Sequence, residues 1–276
     1  MNSTIPASVV ILTKNEELHV SRAVSSASAF DEVVVVDSAS TDQTRELATA
    51  AGARVEEFIW DGAYPKKKEW ALQLVRNDWV IYLDADEFLS APLVNEIGEI
   101  VRDEDASAIE VPLAYRWLGK TLRHGHRVKK RIGMRRSRCE WPRPDDLSVK
   151  NMWEVEGHYQ PIVLQGKVVA LTEKLGHDDQ DGLYDYFARH NRYSDWEAAM
   201  IDKRDAASHR SRSRMGRIAV TIPFKPVVFF LYSYVARLGF LDGRQGLDYA
   251  LALAFYYWQI GAKVRELRSM TAAGQQ

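Results

Sequence analysis

Four short strand-like runs, three of them apolar, alternate with stretches of helical period through the first hundred residues, and this rhythm limits the fold more than any other feature of the chain. Ser8 to Leu12 (SVVIL) and Glu32 to Val36 (EVVVV) read as short buried strands, Ala53 to Phe58 as a third short strand and Trp79 to Leu83 (WVIYL) as a fourth. Glu16 to Ala29, Thr41 to Ala51 and Lys67 to Val75 lie between them with apolar residues at helical spacing, and Leu93 to Val101 follows the last. Ser40 or Thr41 is placed to cap the second helix. This order predicts an α/β fold with a mostly parallel sheet and helices on both faces. Ligands of such sheets bind beyond the carboxyl ends of the strands.

The polar residues fit that rule. The first strand runs into Thr13-Lys14-Asn15-Glu16, the second into Asp37-Ser38-Ala39-Ser40-Thr41-Asp42, and the fourth into Asp84-Ala85-Asp86-Glu87. Ser40 and Asp42 fit a structural role, as turn or capping residues, as well as they fit a ligand site. Three carboxylates within four residues, straight after an apolar strand, are harder to assign to a turn alone. Two aspartates one residue apart can hold a hard cation, Mg²⁺ or Mn²⁺, which binds carboxylate oxygens together with the oxygens of a diphosphate. Such an ion neutralises the charge that builds on a departing nucleoside diphosphate.

Four segments in order resemble the family-two glycosyltransferases of the GT-A type: Val9 to Glu17 (VVILTKNEE), Val34 to Asp42 (VVVDSASTD), Pro65 to Leu72 (PKKKEWAL) and Asp78 to Glu87 (DWVIYLDADE). His190-Asn191-Arg192-Tyr193-Ser194 and Gly239-Phe240-Leu241-Asp242-Gly243 are similar to the subgroup that builds lipopolysaccharide cores and related bacterial surface glycans. The resemblance is strong to about residue 90 and patchy but recurrent afterwards. It implies a GT-A (Rossmann-like) sheet that binds a nucleoside-diphosphate sugar, a UDP- or GDP-sugar, with Mg²⁺ or Mn²⁺. Thr13, Asn15 and Glu16 would line the nucleotide pocket and Asp37 would hydrogen-bond the base. Ser38 and Lys67 or Lys68 would lie close to the nucleotide sugar. Asp84, with Ala85 beside it, would contact the ribose or the metal shell, and Asp86 would ligate the metal. Positive charge at a helix start opposes the macrodipole, which favours a ligand-facing role for the two lysines.

Transfer with inversion needs a base for the acceptor hydroxyl, and the resemblance implies an acidic residue downstream of the metal motif. Glu154 and Glu156 are the candidates, pointing the same way if the segment is extended. Glu156 is preferred, because Gly157 beside it lets a substrate approach closely, and Asp145 and Asp146 stand in reserve. The usual His-Glu pair of the subgroup is absent here. His177, in Leu175-Gly176-His177-Asp178-Asp179, would close over the diphosphate or metal, with its acidic neighbours orienting the ring.

The rest of the chain is less regular. Ala108 to Leu113 and Lys167 to Leu171 read as strands, and the basic stretch Arg123 to Arg138 between them reads as a solvated hairpin or a rim for an anionic acceptor. It lacks the interleaved aromatics of a nucleic-acid module, and a net charge of -1 supplies no global field for one. Leu183 to Asp202 is an aromatic-rich helix, Lys203 to Arg217 is strongly basic, and Pro223 to Leu241 and Leu247 to Arg268 form two apolar helices. Charges interrupt both, so they suit an anionic membrane surface better than a span. A helical hairpin packed on the catalytic domain or joining copies of the chain is the other reading.

The expected organisation is a catalytic domain over 1–200 and a basic linker with a helical appendage over 201–276. The single cysteine, Cys139, excludes an intrachain disulfide, and the polar start at Met1 to Ala7 shows no apolar leader. Both suit a cytoplasmic location at the inner face of the membrane. The expected acceptor is a lipid-linked or lipopolysaccharide-type glycan. A nucleotidyltransferase would show a Gly-rich loop after the first strand, which Thr13 to Glu17 is not. A non-catalytic sugar-nucleotide-binding protein that has lost turnover is the other alternative, and intact Asp37, Asp84 and Asp86 argue against it.

Overall fold

The computed structural model describes residues 4–113, 116–126, 129–149, 160–177, 182–204 and 222–274. They fall into two compact units, one of Met1–Ala114, Val128–Trp141 and Pro161–Asp179, the other of Tyr115–Arg127, Pro142–Gln160 and Gln180–Gln276.

The first unit opens with β1 (Ile5–Thr13), α1 (Val20–Ser26), β2 (Phe30–Asp37), α2 (Thr44–Ala50), β3 (Arg54–Glu57) and α3 (Lys67–Trp70), the last continued by a 3-10 turn at Ala71–Gln73. β4 (Trp79–Asp84), β5 (Glu87–Phe88), α4 (Ala91–Arg102) and β6 (Ala106–Pro112) follow. Two strands of the second unit intervene, β7 (Arg116–Trp117) and β8 (Lys120–Thr121). The first unit resumes with β9 (Lys129–Arg135), β10 (Cys139–Glu140), β11 (Ile162–Val163), β12 (Lys167–Ala170) and β13 (Gly176–His177).

Seven strands make one sheet in the order β12-β6-β9-β4-β1-β2-β3. β3, β2, β1 and β4 are mutually parallel, and β12 is parallel to β6. β9 is antiparallel to both of its neighbours, so it alone runs against the rest. The chain builds outward from β1 to β2 and β3, then crosses to β4 on the other side, which leaves a crevice at the carboxyl ends of β1 and β4.

Burial explains the strands. Val9, Val10 and Ile11 of β1, Val34 to Val36 of β2 and Val80 to Leu83 of β4 are covered on both faces, and the continuous apolar runs reflect this. Each fully buried Ile or Leu contributes about 1.5–3 kcal/mol. α4 lays Leu93, Ile97 and Val101 on this core, and the Ser90 hydroxyl caps it by accepting from the Leu93 N–H at 3.4 Å.

Several elements differ from expectation. α1 starts at Val20 rather than Glu16, because residues 14–19 are held in loop by bonds to the β2–α2 connection. α2 begins at Thr44 after Gln43, and neither Ser40 nor Thr41 caps it. The basic stretch is not a solvated hairpin: its middle is β9, inside the sheet, with Ile132 and Met134 buried. Gly133 sits between Ile81 and Ile109 of the flanking strands, and a β-carbon there would come within 2.9 Å of the Ile81 side chain.

The second unit contains the β7–β8 hairpin and the helices α5 (Leu183–Lys203), α6 (Lys225–Leu231) and α7 (Arg244–Gly274). The expected helix over Pro223 to Leu241 breaks up: α6 passes into a π-helical turn at Tyr232–Ala236 and a 3-10 turn at Gly239–Asp242. Trp117 packs edge-on against Tyr186 and Tyr249, joining the hairpin to α5 and α7. The Asp242 carboxylate accepts from the backbone N–H groups of Arg123 and His124. Asp146 is buried and accepts from the Trp196 indole, and Asp145 pairs with Lys203, so both reserve carboxylates have packing partners. Among the described residues no helix is long and apolar enough to cross a membrane.

Candidate functional site

The carboxyl ends of β2, β1 and β4 lie side by side because their registers align Thr13 with Asp37 and Leu12 with Asp84. Asp37 and Asp84 are therefore two strand spacings apart, roughly 10 Å. The Thr13 hydroxyl donates to Asp37 Oδ1 at 2.8 Å, and both side chains are buried. Asp37 also accepts from the Ser40 amide and hydroxyl, which folds the β2–α2 loop over it. The Thr13 carbonyl accepts from the Ser38 N–H at 3.0 Å and from Lys67 Nζ at 2.9 Å. That contact brings the start of α3 to the same strand end.

The two loops beyond β1 and β2 are clasped. Asn15, in the left-handed region at φ 57°, donates its N–H to the Ser40 hydroxyl and accepts from the Thr41 N–H. The Glu16 N–H donates to the Thr44 hydroxyl, and the Glu16 carboxylate lies 3.1 Å from His19 Nδ1. Thus Thr13, Asn15, Glu16, Asp37 and Ser38 form one connected wall.

The second wall is the turn after β4. Glu87 folds back so that its carboxylate accepts from the Asp84 N–H at 2.9 Å, closing a tight turn around Ala85 and Asp86. Lys130 of β9 fills the space between the carboxylates, with Nζ 2.5 Å from Asp84 and 2.6 Å from Glu87. Burial acts to raise the Asp84 pKa. The charges of Lys130, Lys68 and His177 outweigh it and hold Asp84 well below the usual carboxylate range. Glu87 moves the other way, raised by burial and by the adjacent Asp84 charge. Lys68 is itself buried, and the Tyr82 hydroxyl donates to its carbonyl.

Antiparallel pairing of β5 with β13 sets His177 opposite Glu87 and brings His177 Nε2 to 3.3 Å from Asp86 Oδ2. The pairing needs glycine at 176, because a β-carbon there would fall 2.3 Å from the Phe88 ring. Asp84 and Asp86 keep side-chain exposures of 48% and 28%, whereas Glu87 keeps 2%. The exposed pair is therefore Asp84 and Asp86, and Glu87 is the buried brace.

A carboxylate and an imidazole side by side suit Mn²⁺, and one carboxylate with substrate oxygens suits Mg²⁺. Among the described residues no three His, Cys, Asp or Glu side chains converge into a closed metal cage. The donor set fits an ion completed by the oxygens of a diphosphate. Sequence reasoning missed Lys130, which it grouped with solvated charge. The available signal was the alternation of Ile132 and Met134 with Arg131 and Gly133, which marks a strand with one face in the core. Glu154 and Glu156 lie outside the described residues.

The family model for glycosyl transferase family 2 matches residues 8–159, more than half of the chain. An uncharacterized glycosyltransferase of Rickettsia bellii (strain RML369-C) is 29% identical over 94% of this chain and 86% of its own length. The lipopolysaccharide core biosynthesis glycosyltransferase LpsC of Rhizobium meliloti (strain 1021) is 25% identical over 97% of this chain and 95% of its own. Among solved structures, glucosyl-3-phosphoglycerate synthase from Mycobacterium tuberculosis, in complex with Mn²⁺, UDP and phosphoglyceric acid, is similar at 19% identity. That match covers 68% of this chain and 76% of that one, with a TM-score of 0.45.

Proposed function

We propose, from the premise that this chain belongs to glycosyl transferase family 2, that it is an inverting, metal-dependent enzyme. It moves a sugar from a UDP- or GDP-sugar to a hydroxyl of a lipid-linked or lipopolysaccharide-type glycan. The observation that carries the reading is the alignment of Thr13 with Asp37 and of Leu12 with Asp84 on adjacent strands, which sets the hydrogen-bonded wall around Asp37 beside the carboxylates of the turn after β4.

Asp37, fixed by Thr13 and Ser40, faces the base, and Asn15 and Glu16 shape the pocket for the nucleoside. Lys67 and Lys68 place positive charge near the diphosphate. Asp86 and His177 hold Mg²⁺ or Mn²⁺, and Asp84 supports the ribose or the metal shell. When bound, the ion supplies positive charge at the leaving diphosphate. Glu156, or Glu154 in its place, takes the proton of the acceptor hydroxyl. The freed oxygen forms its bond to the anomeric carbon from the face opposite the diphosphate. The bond from that carbon to the diphosphate oxygen breaks, and configuration inverts. Similarity to a lipopolysaccharide core glycosyltransferase supports the acceptor class.

The test is release of nucleoside diphosphate by the purified chain with Mn²⁺ and an acceptor glycan. Asp86→Ala should lower turnover by about a thousandfold, the scale of losing a main electrostatic stabiliser of the transition state, while leaving the melting temperature within a degree or so of wild type. Turnover that survives Asp86→Ala, or that chelation leaves untouched, would end the metal reading.

A further inference from the structure

Lys130 reaches the turn after β4 through a departure from regular strand pairing. β9 pairs with β4 only from Trp79–Arg135 to Ile81–Gly133, so the pairing stops short of Asp84. On its other side β9 pairs Gly133 with Ile109 and Arg131 with Glu110, which leaves Ile132 as an extra residue without a partner on β6. A bulge of this kind re-aims the side chains beyond it. Ile132 and Met134 are anchored in the core, so the Lys130 ammonium is delivered from the sheet itself rather than from a solvated loop. Lys130 is only 17% exposed, and its Nζ bonds Asp84 and Glu87 together.

The two aspartates of the turn are therefore unequal. Asp84 already holds a cation, and it shares that cation with the buried Glu87. A divalent ion at Asp84 would either press against the ammonium or displace it. The first sets like charges side by side, and the second pulls Lys130 away from a buried carboxylate. Asp86 instead faces His177 Nε2 at 3.3 Å, a nitrogen that a metal can share with a carboxylate.

We propose that Lys130 is a resident cation that keeps Asp84 out of the metal's coordination, so that Mg²⁺ or Mn²⁺ is held by Asp86 and His177 and binds weakly until diphosphate oxygens complete its shell. Lys130 is a positioning residue, acting through Asp84 and touching neither the sugar nor the metal. Affinity for such ions follows the number of charged ligands, and here the second carboxylate is withheld. Binding of the ion and binding of the diphosphate then reinforce each other, and Lys130 sets by how much. The inference rests on the metal reading proposed above and adds to it the group that makes the nucleotide a condition of tight metal binding.

Mn²⁺ binding to the purified full chain without nucleotide tests it, read from the paramagnetic resonance signal of the free ion rather than from turnover. Lys130→Gln should bind Mn²⁺ about tenfold more tightly than wild type, on the scale by which one more charged ligand tunes such sites. Lys130→Arg, which keeps the charge, should bind as wild type does. Adding Asp84→Asn to Lys130→Gln should cancel the gain, whereas Asp84→Asn alone should leave binding nearly unchanged. The sign separates this role from a merely structural one, since a loosened turn would hold the ion less well. Circular dichroism checks that the variants fold, and the result for Asp84→Asn alone stands without any change at Lys130. Equal or weaker binding by folded Lys130→Gln overturns the inference, as does a loss in Asp84→Asn as large as that in Asp86→Ala. Wild type should bind Mn²⁺ more tightly when UDP or GDP is present. Binding by no form of the chain with either nucleotide would overturn the metal reading itself, and the inference with it.

Discussion

The two ends of the central sheet both carry charge, but they treat it differently. At the amino end, Glu32 is buried and saturated. Its carboxylate accepts from the Ser8 hydroxyl at 2.6 Å, the Arg76 N–H at 2.9 Å and Arg54 at 3.1 Å, while Asn77 joins Ser8 to Asp31. At the carboxyl end, Lys130 and Glu87 are just as closely packed, yet they hold Asp84 and Asp86 where both carboxylates remain partly open. The same chemistry thus serves closure at one end and presentation at the other. The difference lies in what remains after the internal partners are counted: little at Glu32, and two accessible carboxylates beside His177 at the turn.

Removing Lys130 should break the carboxyl end most severely. Lys130→Met leaves Asp84 and the buried Glu87 without their cation, and losing one partner of a buried pair costs about 3–5 kcal/mol. Urea unfolding should show that loss, and turnover should fall with it because the turn presenting Asp86 loosens. A smaller, more local effect is expected at Gly176. Gly176→Ala drives a methyl into the Phe88 ring, an overpacking cost of about 1–3 kcal/mol, and should move His177 away from Asp86. Its signature is a raised Mn²⁺ requirement with modest loss of stability, read from metal titrations of turnover beside a melting curve.

The amino end should respond in stability alone. Glu32→Gln should cost about 1–3 kcal/mol by leaving partners of a buried carboxylate unsatisfied, with turnover unchanged. Burial acts to raise the pKa of Glu32, and its bonds from Ser8, Arg76 and Arg54 prevail, so the pKa is lowered in the folded state. A lowered folded value means that ionised Glu32 adds stability at pH above its unfolded value near 4.5. That contribution disappears as pH falls through the lower folded value. Urea midpoints followed from neutral pH into this acid range should fall less steeply for Glu32→Gln than for wild type.

How much of this was legible beforehand depended on where each residue finds its partner. β1, β2 and β4 are buried on both faces, so their apolar runs announced them. The strand-end placement of Asp37 and Asp84 followed from the same runs. β9 was hidden because Lys130 and Arg131 read as surface charge, although their partners Asp84, Glu87 and Glu110 lie far away in sequence. β13 was hidden because two residues, Gly176 and His177, carry no period at all and are strand only through pairing with β5. The breakup of the first C-terminal helix into a π turn and a 3-10 turn was equally silent, since its apolar spacing is close to that of one helix.

The central claim is that a nucleoside diphosphate binds at the carboxyl end of the sheet, between Asp37 and the Asp84–Asp86 turn. Thermal shift with Mn²⁺ and each of UDP and GDP tests it most directly, because a ligand of the folded state raises the melting temperature by mass action. One of the two should stabilise the wild-type chain and Glu32→Gln alike, and its effect should vanish in Asp37→Asn and in Asp86→Ala. A shift that persists in both carboxyl-end variants, or no shift with either nucleotide, would contradict the account.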